Sequence, residues 1–174
     1  IPTYGATANR AADIATISGT AFSRFFKDTE GAVVVDFQLH KDRTNLGYKR
    51  LISFSDGTTA NSLDVYGQNN FIRAFGDNAS SGYLGLYPTT IGEITKIGVA
   101  YKDNDFSLTG DGGSSTTDTS GIVPRVFNRL SIGSQHNGIP INSWIRRIRY
   151  FNKRKSDAQV QKLTDTSFLL DKFK

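Results

Sequence analysis

The sequence predicts an all-β sandwich domain carrying one short helix near its C-terminus. Three observations carry that prediction. Short apolar segments with a period of two recur along the chain. Gly, Ser, Thr, Asn and Asp gather between them, where turn chemistry needs them. One convincing helix start falls at Ser156.

The elements follow in order. A short helical turn fits Ser18 to Arg24. Val33, Val35, Phe37 and Leu39 alternate with Val34, Asp36 and Gln38, which marks a strand with one buried face. Ile52 and Phe54 begin a second strand, ended by the turn Ser55-Asp56-Gly57. Leu63 and Val65 alternate with Asp64 and Tyr66 in a third, and Phe71, Arg73 and Phe75 mark a fourth. Ile97, Val99 and Tyr101 form another, closed by Lys102-Asp103-Asn104-Asp105. The chain returns through Phe106 and Leu108 to Gly110-Asp111-Gly112, which reads as a hairpin. Leu130 and Ile132 make a further strand, and the last long one runs from Trp144 to Phe151. Ser156-Asp157-Ala158-Gln159 is a capping box, in which the serine hydroxyl takes the third amide and Gln159 reaches back. The helix it opens runs over Asp157–Leu163, with Val160 and Leu163 on one face. Segment 110–121 is rich in Gly, Ser and Thr. It reads as a long loop inside one sandwich rather than a linker, because neither flank has strands enough to close its own core. Residues 1–174 are therefore expected to form a single domain.

Composition narrows the function. The 174 residues suffice for one core. The longest apolar run, Ala32 to Val35, is far short of the ~18 residues that span a bilayer, so no membrane insertion is expected. Absence of Cys removes disulfides, thiolate metal sites and Cys nucleophiles together. The chain begins at Ile1 and holds no Met, so it is expected to be a piece of a longer polypeptide. The net charge of +5 is concentrated at Arg146, Arg147, Arg149, Lys153, Arg154 and Lys155.

Catalysis finds little footing. Glycan hydrolysis needs two carboxylates about 5–10 Å apart across the bond. Glu30 and Asp36 flank a strand, but Val33 and Val35 interrupt the spacing, and both acids read as solvated surface residues. His40 and His136 sit in no nucleophile motif, and no G-x-S-x-G occurs. The expectation is a protein without catalytic residues. Asp103, Asn104, Asp105 and Asp111 invite a calcium reading, yet the spacing through Phe106 and Ser107 does not match an EF-hand loop, and turn chemistry accounts for the acids. No metal or other cofactor is expected, with calcium at these acids as the alternative. The run Arg146 to Lys155 mixes cations with Trp144, Tyr150 and Phe151, a superficial match to nucleic-acid binding. Strand alternation instead points Ile145, Ile148 and Tyr150 inward, with a bulge near Arg146-Arg147 restoring register. The arginines become an outer face, and no nucleic-acid partner is expected.

Asn142 to Phe151, then Asn152 to Lys155, then Ser156-Asp157-Ala158-Gln159-Val160-Gln161-Lys162-Leu163 resembles the closing signature of concanavalin A-like (laminin-G-like) lectin/glucanase domains. It departs at Lys155, where that signature has Leu. Asn9 to Asp13, Ile17 to Phe22, Glu30 to Phe37, Ala100 to Phe106 and Thr117 to Gly121 are similar to the form of this domain found in bacteriophage tail and virion proteins. The resemblance implies two antiparallel sheets in a jelly roll. It implies a non-catalytic module of a tail fibre, spike or baseplate, on the extracellular phage particle. Its partners would be a host-surface glycan and other virion proteins, in a homo-oligomer, commonly a trimer. The alternatives are a structural or decoration domain that binds no sugar and, third, a glycanase or lyase.

Sugar binding calls for flat aromatic faces and planar polar groups. The loop candidates are Tyr66, Tyr83, Tyr87, His136 and Asn137, with Asn69 and Asn70 beside them. Trp144, at a strand start, is either partial core or an exposed platform. The strand registers predict that Val35, Phe37, Phe54, Val99, Ile132 and Ile148 are buried together. Phe37→Ala or Val99→Ala should cost about 2–5 kcal/mol of stability, read from denaturant unfolding.

Overall fold

The computed structural model describes residues 15–39, 49–58, 60–68, 71–76, 83–88, 93–134, 141 and 143–167, with 75, 76 and 83–88 as backbone only. Among these residues eleven strands form two antiparallel sheets. The front sheet has the order β1 (Ala15–Ser18), β10 (Arg129–Ile132), β3 (Lys49–Ser55), β4 (Ser62–Gln68), β5 (Phe71–Gly76), β6 (Tyr83–Pro88). The back sheet has the order β11 (Ser143–Phe151), β2 (Glu30–Leu39), β7 (Ile94–Lys102), β8 (Phe106–Gly110), β9 (Thr116–Asp118). Helix α1 spans Gly19–Ser23 and α2 spans Asp157–Thr164. The predicted sandwich with a short C-terminal helix is the observed one. No helix among the described residues is long and apolar enough to cross a membrane.

The core lies between the sheets. Val33, Val35, Phe37 and Leu39 of β2 meet Ile52, Phe54, Leu63, Val65, Ile72 and Leu130 of the front sheet, all buried. Ile132 and Ile148 pack against this cluster but stay partly exposed, so two of the six residues expected in the deep core stand at its margin. In β5 Ile72 and Ala74 are fully buried, whereas Phe71 is 36% exposed. The strand marked by Phe71, Arg73 and Phe75 is the observed β5.

A bulge does occur where the sequence implied it. Ile145 pairs with Phe37 and Arg147 with Asp36, leaving Arg146 as the extra residue. Ile145, Ile148 and Tyr150 thus all pack on the core. Segment 110–121 is a hairpin within the back sheet, since β8 runs through Asp111 and Gly112, both with positive φ, into β9. The Asp111 carboxylate accepts the Lys96 amide at 2.7 Å and pins that turn to β7.

Beneath α1 an aromatic cluster plugs one end of the sandwich. Phe22 stacks on Phe26 at 4.6 Å, and Phe26 meets Phe54 at 5.1 Å. There the Lys27 amide donates to the Tyr150 hydroxyl at 2.9 Å, Tyr101 donates to the Lys27 carbonyl at 3.0 Å, and the two hydroxyls lie 2.9 Å apart. One donor order satisfies all three contacts: Lys27 N–H to Tyr150, Tyr150 to Tyr101, Tyr101 to the Lys27 carbonyl. Gly31 leaves room for this clasp, because a Cβ there would stand 2.5 Å from the Tyr101 oxygen.

Helix α2 starts as predicted. Ser156 accepts the Gln159 amide at 3.3 Å, and the Gln159 side chain accepts the Ser156 amide at 3.0 Å. The helix lies on the outer face of the back sheet, burying Val160 against Ala32 and Ala100. Strand β2 is therefore buried on both faces over Ala32 to Val35, where alternation alone gave it one. Contact is close because Gly98 has no side chain: a Cβ would sit 2.3 Å from Val160 Cγ1. Gly98→Ala should lose about 1–3 kcal/mol, and adding Val160→Ala should recover part of it in a double-mutant cycle followed by urea unfolding.

Burial raises the pKa of Tyr101 and, less completely, Tyr150. A phenol whose folded-state pKa lies above the unfolded value of about 10 holds its proton more tightly when folded. The stability it contributes is full below pH ~10 and drains as pH rises beyond it, at up to about 1.4 kcal/mol per pH unit for Tyr101. Ultraviolet titration should show these two tyrosines ionising only together with loss of structure.

Candidate functional site

Strand β4 alternates. Leu63 and Val65 enter the core, while Asp64, Tyr66 and Gln68 face away from it. Cross-strand pairing sets Ser53 beside Asp64, Arg50 and Arg73 beside Tyr66, and Ser131 beside Ser53. The outer face of the front sheet is thus a polar array of hydroxyls, two guanidiniums, one carboxylate, one amide and one phenol. Much of it is shielded: Ser53, Ser55, Ser62, Asp64, Tyr66 and Ser131 are all buried. Arg50, Gln68 and Arg73 are half-buried and Phe71 is exposed, so the array reaches solvent along β4 and β5.

Asp64 is the electrostatic centre of this face. Its Oδ2 accepts Arg50 Nε at 3.0 Å and the Ser62 hydroxyl at 3.2 Å. Burial raises its pKa, opposed by the Ser53 hydroxyl and by Arg50 and Ser62. The Arg50 guanidinium also lies 5.4 Å from the Tyr66 ring centroid, a cation–π distance. Asp64 Oδ1 and the Ser53 and Ser131 hydroxyls are buried on this face without a full-strength hydrogen bond in the protein, the Ser53 hydroxyl lying near enough to Asp64 only to favour its charged form. Each such buried group costs about 1–3 kcal/mol unless something supplies the missing partner. Water or a hydroxylated ligand can supply it. Asp64 is the sole carboxylate among the described strand residues of this face, so the pair that glycoside hydrolysis uses is not assembled there.

The opposite side holds a groove of about 710 Å³ between β11 and α2. The bulge turns Arg147, Arg149 and Phe151 toward it, and Lys96, Lys155 and Lys162 complete its cationic lining. Asp36 forms part of its floor, 9% exposed, paired in register with Arg147 on one side and Lys96 on the other. Asp36 is therefore not the solvated residue its sequence context implied. Glu30 is half-buried, not freely solvated, accepting the Arg154 amide at 3.1 Å and Lys27 Nζ at 3.3 Å. Those two contacts hold its carboxyl below the usual range.

The predicted site residues separate. Tyr66 is not in a loop but in β4, buried on the front face. Tyr83 and Tyr87 belong to β6, pairing with Phe75 and Ile72, and their side chains lie outside the described residues. His136 and Asn137 lie outside them too, as do Asn69, Asn70 and His40. Trp144 is 57% exposed on the outer face of the back sheet, paired with Gln38. Tyr66 and Trp144 thus stand on opposite sides of the sandwich. Sequence reasoning passed over Arg50, Asp64, Gln68 and Arg73. The in-phase polar positions opposite Leu63 and Val65 were the available signal.

The suspected calcium acids are tied up in the fold. Asp103 accepts the Val123 amide at 2.8 Å and pairs with Arg125, and Asp105 pairs with Arg154 at 2.6 Å. Among the described residues no cluster of three or more His, Cys, Asp or Glu is placed to hold a metal. Arg154 divides itself between Asp105, Asp157 and the Lys155 carbonyl, which makes it a structural cation within the basic run.

No protein-family model matches the chain, and no curated protein matches its sequence. Solved structures match its fold. The CBM40 module of Ruminococcus gnavus IT-sialidase, solved with α2,3-sialyllactose bound, is 13% identical, with a TM-score of 0.62 over 88% of this chain and 97% of that one. Domain 4 of AbnA, an extracellular GH43 arabinanase of Geobacillus stearothermophilus solved with arabinotriose, is 11% identical, with a TM-score of 0.65 over 90% of this chain and 84% of that one. Leech intramolecular trans-sialidase is 15% identical, with a TM-score of 0.62 over 80% of this chain, which spans only 24% of the enzyme's length. At such identities the likeness shows the fold alone: a concanavalin A-like, jelly-roll sandwich similar to these sialidase-associated and arabinanase modules.

Proposed function

We propose that this chain is a non-catalytic carbohydrate-binding module whose ligand lies against the outer face of the front sheet, along β4 and β5. The observation that carries this reading is the polar array around Asp64, whose hydrogen-bonding capacity the protein fills only in part. A sugar hydroxyl both donates and accepts, so one ring can satisfy an acid, a guanidinium and a serine together. The Tyr66 phenol, the half-buried Gln68 and Arg73, and the exposed Phe71 ring supply the rest of the vocabulary that saccharides need. Two modules of similar fold were solved with oligosaccharides bound, which supports the same class of ligand here.

The wider setting rests on the sequence resemblance. The segments Asn9 to Asp13, Glu30 to Phe37 and Ala100 to Phe106 support a place on a bacteriophage virion, in a fibre, spike or baseplate that meets host-surface glycan and other virion proteins. A single shallow site binds at about millimolar strength, near −4 kcal/mol. Repetition in a trimer raises retention without new contacts.

The expected outcome on a glycan array is selective binding by a trimerised form of the chain. Arg73→Ala and Gln68→Ala should each lower it about tenfold while thermal melting stays unchanged. On host cells, retention of the trimer should fall once surface polysaccharide is stripped. Binding to no glycan, with cell retention indifferent to stripping, would establish the structural alternative instead.

A further inference from the structure

The groove between β11 and α2 serves neither the core nor the front face. Five cations against two carboxylates leave its lining with a net charge of +3. Arg147 and Lys162 are exposed at its mouth and carry no hydrogen bond or ion pair among the described residues. Arg149 is fixed deeper by its bond to the Leu163 carbonyl at 2.9 Å, with its Nε buried and unpartnered. Lys155 Nζ stands 5.0 Å from the Phe151 ring centroid, so an apolar surface adjoins the cations. This much describes a site for any anion.

Asp36 makes it selective. Its Oδ1 is buried in the groove floor without a hydrogen bond, and the nearest cation, Arg149 Nη2, is 3.8 Å away. A carboxylate oxygen accepts only, so whatever fills this place must donate. Sulfate, or a phosphate unit without a bound proton, offers acceptors alone and would be repelled. A sugar unit that carries both an acidic group and free hydroxyls satisfies both demands: its anion meets Arg147 and Lys162, and a hydroxyl donates to Asp36. Trp144 extends the surface. Its partner Gln38 is two residues along β2 from Asp36, so its exposed ring stands about 7 Å further along the same face. That is room for a second sugar ring to stack.

We infer that the groove is a second saccharide site, separate from the front face, and that it takes acidic oligosaccharides bearing carboxylate or sulfate groups. The inference stands independently of the front-face reading, because Arg147→Ala reports only on this groove and Arg73→Ala only on the other side.

The test is calorimetric titration of the chain, paired with the fluorescence of Trp144, its only tryptophan. The probes are oligogalacturonate, dextran sulfate, neutral dextran and polyphosphate. Saturable binding of oligogalacturonate or dextran sulfate, weakened about tenfold by Arg147→Ala, supports the site, and which of the two binds identifies the acidic group. Asp36→Ala gives opposite signs for the two explanations. It should weaken an acidic saccharide through the lost hydroxyl contact, whereas simple charge attraction would strengthen. Polyphosphate on the unmodified chain needs no folded variant and should bind at least tenfold more weakly, charge for charge. Polyphosphate binding as tightly as the acidic saccharides, tighter binding by Asp36→Ala, or no binding by either acidic saccharide would overturn the inference.

Discussion

Opposite Phe37 and Asp36, strand β11 sets three residues, Ile145, Arg146 and Arg147, against two. Were Arg146 paired in regular register instead of bulged, strict alternation would continue and the face the strand shows would invert beyond Ile145. Ile148 and Tyr150 would turn outward, carrying Tyr150 away from Tyr101 and Lys27. Arg147, Arg149 and Phe151 would be driven between the sheets, at the cost of burying guanidiniums among aliphatic side chains. The core on one side of the back sheet and the cationic groove on the other therefore rest on one irregularity. Its position next to charged side chains fits the habit of bulges to re-aim residues at a sheet edge.

Two missing side chains matter as much as the large ones present. Gly98 lets α2 settle onto β7, and Gly31 lets Tyr101 reach the Lys27 carbonyl. Both sit in strands, where glycine is otherwise unfavourable and commonly marks close approach. In each case the gain is specific. The first buries Val160 and brings Lys162 and Leu163 over the sheet to wall the groove. The second closes a hydrogen-bonded ring between β7, β11 and the segment after α1, locking one end of the sandwich.

Much of the scaffold was legible in the sequence. Val33, Val35, Phe37 and Leu39 declared their strand through alternation, and Ser156 with Gln159 declared the helix through paired capping groups. What escaped depends on tertiary cover. Asp64 and Tyr66 look like solvent-facing positions by period, yet both are buried, and no local pattern reports the burial of a polar face. Asp36 was misread for the same reason, since the groove around it is built by a helix more than a hundred residues away in sequence. Strand β6 was hidden because Gly and Pro within it read as loop. Of the sugar-binding candidates, ring chemistry alone picked Tyr66 and Trp144. It had no means of knowing that they point to opposite sides.

That opposition has a consequence for valence. Sheets in a sandwich stand about 10 Å apart, filled with side chains, so ligands on the two outer faces cannot share contacts or compete. Were both proposed sites occupied, a single copy would already be bivalent, holding one saccharide on each side. Such a molecule would act as a rivet between two glycan layers before any oligomer forms.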